Sequence, residues 1–173
     1  QDAVGQSVFN QKAMGAESPR GGKNNVLELL ELYQDLTYPA LPLKIENLSA
    51  AISGELRRTS LVAVVSDWLF PEAEGVIKSL GELRAHHDVL LFMADSSAAF
   101  RLPAVSAGWI AGKDIETGLT KIFSLKELQR IFEQSKSYQD HLLREAEKAG
   151  LEMLVLSPEK ESLYAEILDF FVE

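Results

Sequence analysis

Along residues 60–66, SLVAVVS, apolar side chains follow one another almost without interruption, and the run stops on Ser66 and Asp67. A continuous apolar stretch of that length predicts a strand buried in a parallel sheet, since a half-solvated strand alternates. After Pro71, Val76, Ile77, Leu80 and Leu83 recur at helical spacing, and a second apolar run, DVLLFMAD, fills residues 88–95. Strand, helix and strand in that order predict a parallel crossover unit.

The flanking segments extend the pattern. QDAVGQSVF alternates, and KAMGAE follows a short polar turn, which predicts a hairpin over residues 2–17 near a sheet edge, with SPRGGKNN as the next loop. Asn24 or Asn25 suits a helix N-cap, ahead of Val26, Leu29, Leu30, Tyr33 and Leu36. Pro39 and Pro42 close that helix, and a second over residues 45–57 aligns Leu48, Ile52 and Leu56. Residues 107–123 read as a hairpin turning at Glu116, Thr117 and Gly118. Ser124 with Glu127 forms a capping box for a long helix whose stripe is Leu125, Leu128, Phe132, Ser135, Tyr138, Leu142 and Ala146, ended by Gly150. EMLVLS is a last strand, and Ser157-Pro158 opens a terminal helix carrying Leu163, Ile167 and Phe170. Short apolar strands alternating with amphipathic helices predict a doubly wound α/β domain, with residues 1–173 as one domain.

Composition narrows what such a domain can do. In 173 residues, 17 Lys and Arg stand against 26 Asp and Glu, a formal charge of -9, and no basic cluster interleaved with aromatics offsets it. That balance repels a phosphate backbone, so no nucleic-acid partner is expected. The absence of cysteine excludes disulfides, zinc-thiolate sites and thiol nucleophiles, and fits a cytoplasmic setting. No apolar run approaches the roughly 20 residues that span a bilayer, so no membrane contact is expected within this segment; a parent could be membrane-anchored upstream. The first residue, Gln1, lies inside what reads as a strand.

Candidate chemistry gathers where the strands end, because parallel sheets bind ligands beyond the carboxyl ends of their strands. Asp67 and Asp95 end the two central apolar runs. Asp67 suits Mg²⁺ or Mn²⁺, which take oxygen ligands, or else it caps the following helix. The pair suits acid and base work if their surroundings separate their pKa values, or else Asp95 simply opens the polar loop DSSAAF. No Ser/His/Asp order and no G-x-S-x-G occurs. Trp68 and Phe70 read either as exposed anchors or as core. His86 and His87 project in different directions and lack a third ligand, which favours a structural hydrogen bond at His87. SPRGG could cradle an anion at a helix start but lacks nucleotide-loop spacing.

In order along the chain, QDAVGQSVF, SPRGGKNNVLELL, SDWL, LRAHHDVLLFMADSSAAFRLPAV, DIETG and AEKAGLEMLVLS resemble a bacterial family of unknown function, the fifty-eighth in the usual numbering. Its conserved region is similar to a von Willebrand factor A domain, and its genes often neighbour MoxR-type AAA+ ATPases. The resemblance implies a Rossmann-like, mostly parallel sheet flanked by helices, with an added β-hairpin, carrying a metal-ion-dependent adhesion site. Asp67 matches that site's final aspartate. Glu46, in PLKIENLSAAI, falls where the family tends to show threonine. No Asp-x-Ser-x-Ser occurs, and the chain begins where the family's second strand should be.

The resemblance therefore implies a protein-protein interaction module with a degenerate or incomplete metal site, a partner such as a MoxR-type ATPase, and no catalytic residues. Asp67 and Glu46 are the candidate metal ligands, and Ser66, Trp68 and Asp95 are the candidate interaction residues. No cofactor is expected in the chain itself, with Mg²⁺ or Mn²⁺ in an intact parent. The alternative is a metal-assisted hydrolase using Asp67, Asp95 and Glu46. Because the family's first strand lies between the two matched by DAVGQSVF and LVAVVSDW, a gap is expected beside residues 60–66. Either the hairpin shifts to fill it, or another chain does, or an upstream segment belongs there, and the last is the expectation.

Overall fold

The computed structural model describes residues 3–10, 12–35, 48–97, 108–113, 119–157 and 163–170. They fall into two compact units, Gln1–Arg57 and Arg58–Glu173.

In the first unit, β1 (Ala3–Asn10) and β2 (Lys12–Gly21) form an antiparallel hairpin with register shifts at Val4/Gln6 and Val8/Phe9. The hairpin is where the alternation places it, but β2 continues through Ser18, Pro19, Arg20 and Gly21, which the sequence suggested as loop. Pro19 is tolerated because a two-stranded sheet is all edge, where a missing N–H breaks no second ladder. Of SPRGGKNN, considered as an anion cradle, residues 18–21 are thus strand and residues 23–25 the start of a helix. Helix α1 (Lys23–Asp35) begins ahead of both expected caps. Asn25 instead lies buried in its first turn, where Nδ2 donates to the Val4 carbonyl at 2.8 Å and the Arg20 carbonyl at 3.1 Å. Val4 and Arg20 face each other across the hairpin, so one amide fastens helix to both strands. Leu29 is buried one turn later, and a short α2 (Leu48–Glu55) buries Leu48.

The second unit holds a three-stranded, all-parallel sheet ordered β3 (Leu61–Ser66), β4 (Asp88–Ala94), β7 (Glu152–Leu156). Helix α3 (Ala73–Leu83) joins β3 to β4 as the crossover, and the capped helix α4 (Leu125–Lys148) leads into β7. The architecture is mixed α/β, a parallel sheet flanked by helices, consistent with a Rossmann-like fold. Val89, Leu91 and Met93 form the sealed face of β4, and Ile77 and Leu80 of α3 and Leu142 and Ala146 of α4 are equally buried. On the opposite face Phe170 of α5 (Leu163–Phe170) meets Phe92 edge-on, ring centres 5.7 Å apart.

Two glycines allow the helices to close on this sheet. Gly81 of α3 lies under the end of α4, where a Cβ would stand 2.9 Å from the Ala149 carbonyl oxygen. Gly150, at φ 72°, takes the left-handed conformation that stops α4 and turns the chain into β7. The capping box forms as expected: Ser124 Oγ accepts from the Glu127 N–H, and Glu127 Oε2 accepts from the Ser124 N–H at 2.8 Å. Upstream of α4, β5 (Trp109–Lys113) and β6 (Thr120–Ser124) pair as an antiparallel hairpin. Its turn, and the prolines that close the first helix and open the last, lie outside the described residues.

One feature of β3 differs from the expectation of a fully buried strand. Its residues alternate, with Leu61 and Val65 55% and 65% exposed while Val62 and Val64 are half-buried. An apolar run reads as buried on both faces only when something covers both, and the described residues of this unit cover a single face of β3.

Candidate functional site

The carboxyl ends of β3 and β4 lie side by side, and α4 runs past them with Ser135, Tyr138 and Gln139 at helical spacing. Beyond β3 the chain makes a tight, hydrogen-bonded turn. The Trp68 N–H donates to Ser66 Oγ at 3.0 Å, and the Leu69 N–H donates to Asp67 Oδ1 at 3.1 Å. These two side chains hold Trp68 at φ 58°, a conformation a bulky residue adopts only when its surroundings impose it.

What imposes it is burial. Trp68 is 1% exposed, stacks on Phe70 at 6.1 Å, and donates its indole N–H to the Phe92 carbonyl at 3.2 Å. From the other side the Tyr138 hydroxyl donates to the Trp68 carbonyl at 3.3 Å. Trp68 and Phe70 are therefore core, and neither is an exposed anchor. Of the sequence-derived candidates here, Ser66 is half-buried and positions the turn, while Asp67 is exposed. Asp67 lies well before α3, whose N-cap Glu72 makes no side-chain cap bond, so its carboxylate shapes the loop and not the helix. Leu69, next to the turn, is 52% exposed.

Asp95 ends β4 in a different environment. It is buried, its N–H donates to the Leu156 carbonyl, and Oδ1 accepts from the Ser97 N–H, the Ser97 hydroxyl and Gln139 Nε2. Burial alone would raise its pKa, but the bonds from the Ser97 and Gln139 side chains, the charge of Lys136 and the Ser97 N–H together lower it below the ordinary 3.8. It therefore stands ionised, the wrong state for a general acid at neutral pH. Ser96 and Ser135 add a hydroxyl pair at 3.3 Å between the loop and α4.

Gln139 was missed by the sequence reading. It is 2% exposed, and its Oε1 has no partner among the described residues. Its place four residues after Ser135 and three before Leu142, at helical spacing on the stripe, was the available signal. Tyr138 sits close enough to acidic groups that its pKa is raised, by burial first and then by Glu74 and Asp67. Glu74 in turn meets His141 Nε2 at 2.9 Å, an exposed contact between α3 and α4.

The remaining candidates lie elsewhere. Glu46 is outside the described residues. His86 is exposed and His87 buried at the amino end of β4, away from the crevice; the His87 N–H bonds Leu83 O, while Nδ1 has no partner among the described residues, so the expected side-chain bond is not seen there. Among the described residues no three His, Cys, Asp or Glu side chains gather to hold a metal ion. Among the described residues, Asp67 alone falls short of the six-oxygen set that Mg²⁺ and Mn²⁺ favour. Comparison with models of known protein families finds no match, and neither do comparisons with curated proteins or with solved structures.

Proposed function

We propose that the chain is a protein-protein interaction module of the von Willebrand factor A type, with a degenerate adhesion site, serving as adaptor to a partner such as a MoxR-type AAA+ ATPase. The observation that carries this reading is how the polar groups at the strand ends are used. Asp95, Ser97, Gln139, Ser66 and Tyr138 all bond to the protein itself and fix two loops. Among the described residues of this rim, the Asp67 carboxylate and the Leu69 side chain are turned to solvent. A ledge that sets the Asp67 charge beside the apolar Leu69 side chain suits recognition: the loops are ordered before binding, so little entropy is lost on docking.

The family resemblance supplies the partner class, and the acidic surface agrees with a partner that is not nucleic acid. The chain is proposed to act without catalysis: the hydroxyl that meets a carboxylate at the rim among the described residues, Ser97 on Asp95, is buried, and the lowered pKa of Asp95 makes it a weak proton acceptor. Titration calorimetry with Mg²⁺ and Mn²⁺, followed by phosphatase and esterase screens, tests this. Weak or absent metal binding and no turnover are expected. Turnover abolished by Asp67→Ala would replace the module with a metal-assisted hydrolase.

A further inference from the structure

We propose that β3 is the interface through which two copies of this chain associate, joining their sheets edge to edge. All-parallel sheets normally have both faces covered, and an unpaired apolar edge is a template for pairing with another chain. Here β3 pairs with β4 alone among the described residues, and Leu61 and Val65 lie 55% and 65% exposed on the face where Ala63 is also exposed. Natural edges are protected by charge, proline or a bulge. Residues 59–66, TSLVAVVS, contain no charged residue and no proline, and β3 runs in unbroken register with β4.

The charges at the two ends of the strand select the occupant and its direction. Arg58 precedes β3 and Asp67 follows it, and both are exposed. In a parallel pairing of two copies, each of these would lie beside its own like. In an antiparallel pairing about a two-fold axis through Ala63, Arg58 of each copy approaches Asp67 of the other. The same axis sets Leu61 of one copy opposite Val65 of the other, twice, with the two Ala63 residues face to face. Opposed residues then share a face, so the exposed apolar stripe of one copy continues into that of the other. A closed two-fold contact of this kind ends at a dimer and leaves no second β3 edge.

Because the chain has no cysteine, disulfide trapping can read the register directly. Opposed residues in an antiparallel pair lie about 4.5–5.5 Å apart at Cα, within the range a disulfide bridges. Ala63→Cys alone should cross-link to a dimer under mild oxidation. Leu61→Cys and Val65→Cys should each fail alone, their like residues being about 13 Å apart, and should cross-link when mixed. Sedimentation of the unmodified chain should give twice the 19.1 kDa chain mass, and Val65→Lys, verified as folded by circular dichroism, should halve it. The proposal is overturned if the unmodified chain sediments as a monomer at micromolar concentration or as larger assemblies, or if Ala63→Cys cross-links no faster than Val65→Cys. These variants change neither Asp67, which both readings use, nor Leu69, so a monomer overturns the dimer and leaves partner docking to its own test.

Discussion

Asp95 shows how a strand-end carboxylate becomes structural. Its hydrogen-bond donors outweigh the penalty of burial, so the folded chain holds the proton less tightly than the unfolded chain does. The stability this contributes is fully present above the unfolded value, near 3.8, and is lost as pH falls through the lower folded value. Asp95→Asn should cost about 1–3 kcal/mol at neutral pH, with a difference from wild type that shrinks below the ordinary carboxylate range. Urea melts at neutral and at strongly acidic pH measure both, and a difference independent of pH would contradict the assignment. The sequence marked Asp95 and Asp67 as strand-end acids equally. What it could not distinguish was their surroundings, because Asp95 meets Gln139, 44 positions away, whereas Asp67, among the described residues, bonds the local turn at Leu69. Trp68 was ambiguous for a similar reason: its burial depends on Phe92 and Tyr138, and no local pattern encodes them.

Among the elements, legibility follows how local the determining interaction is. The start of α4 was readable because Ser124 and Glu127 satisfy each other within one turn. The crossover of β3, α3 and β4 was readable because two apolar runs of strand length flank a helix that carries its own period. The extent of β2 was not, since Pro19 and two glycines signal a loop, and pairing with β1 overrides them. Asn25 looked like a cap because its residue type favours that role, yet it serves the hairpin opposite. Gly81 carries a prediction at this scale. Alanine there would gain about 1 kcal/mol in helix propensity, but its Cβ would meet the Ala149 backbone at 2.9 Å. Separating α3 from the end of α4 costs about 1–3 kcal/mol, so Gly81→Ala should destabilise on balance. A melting temperature raised by the substitution would show that the helices yield more readily than their packing implies.

For the whole molecule, the α/β class and parallel sheet were legible, and the expectation of one domain meets two compact units in the structure. The open face of β3 was not legible, because apolar sequence reports what can be buried and not what buries it. The proposed function rests on the rim that carries Asp67 and Leu69, and its most direct measurement is the binding of a purified MoxR-type AAA+ ATPase to this chain by biolayer interferometry. Three forms should be compared: wild type, Leu69→Asp, and Asp67→Asn, which can keep the turn bond to the Leu69 N–H while removing the charge. The account predicts saturable binding by the wild type, weakened about tenfold or more by each substitution, a change of about 1.4 kcal/mol, with thermal stability nearly unchanged. Absent binding, or binding that both variants retain in full, would contradict it.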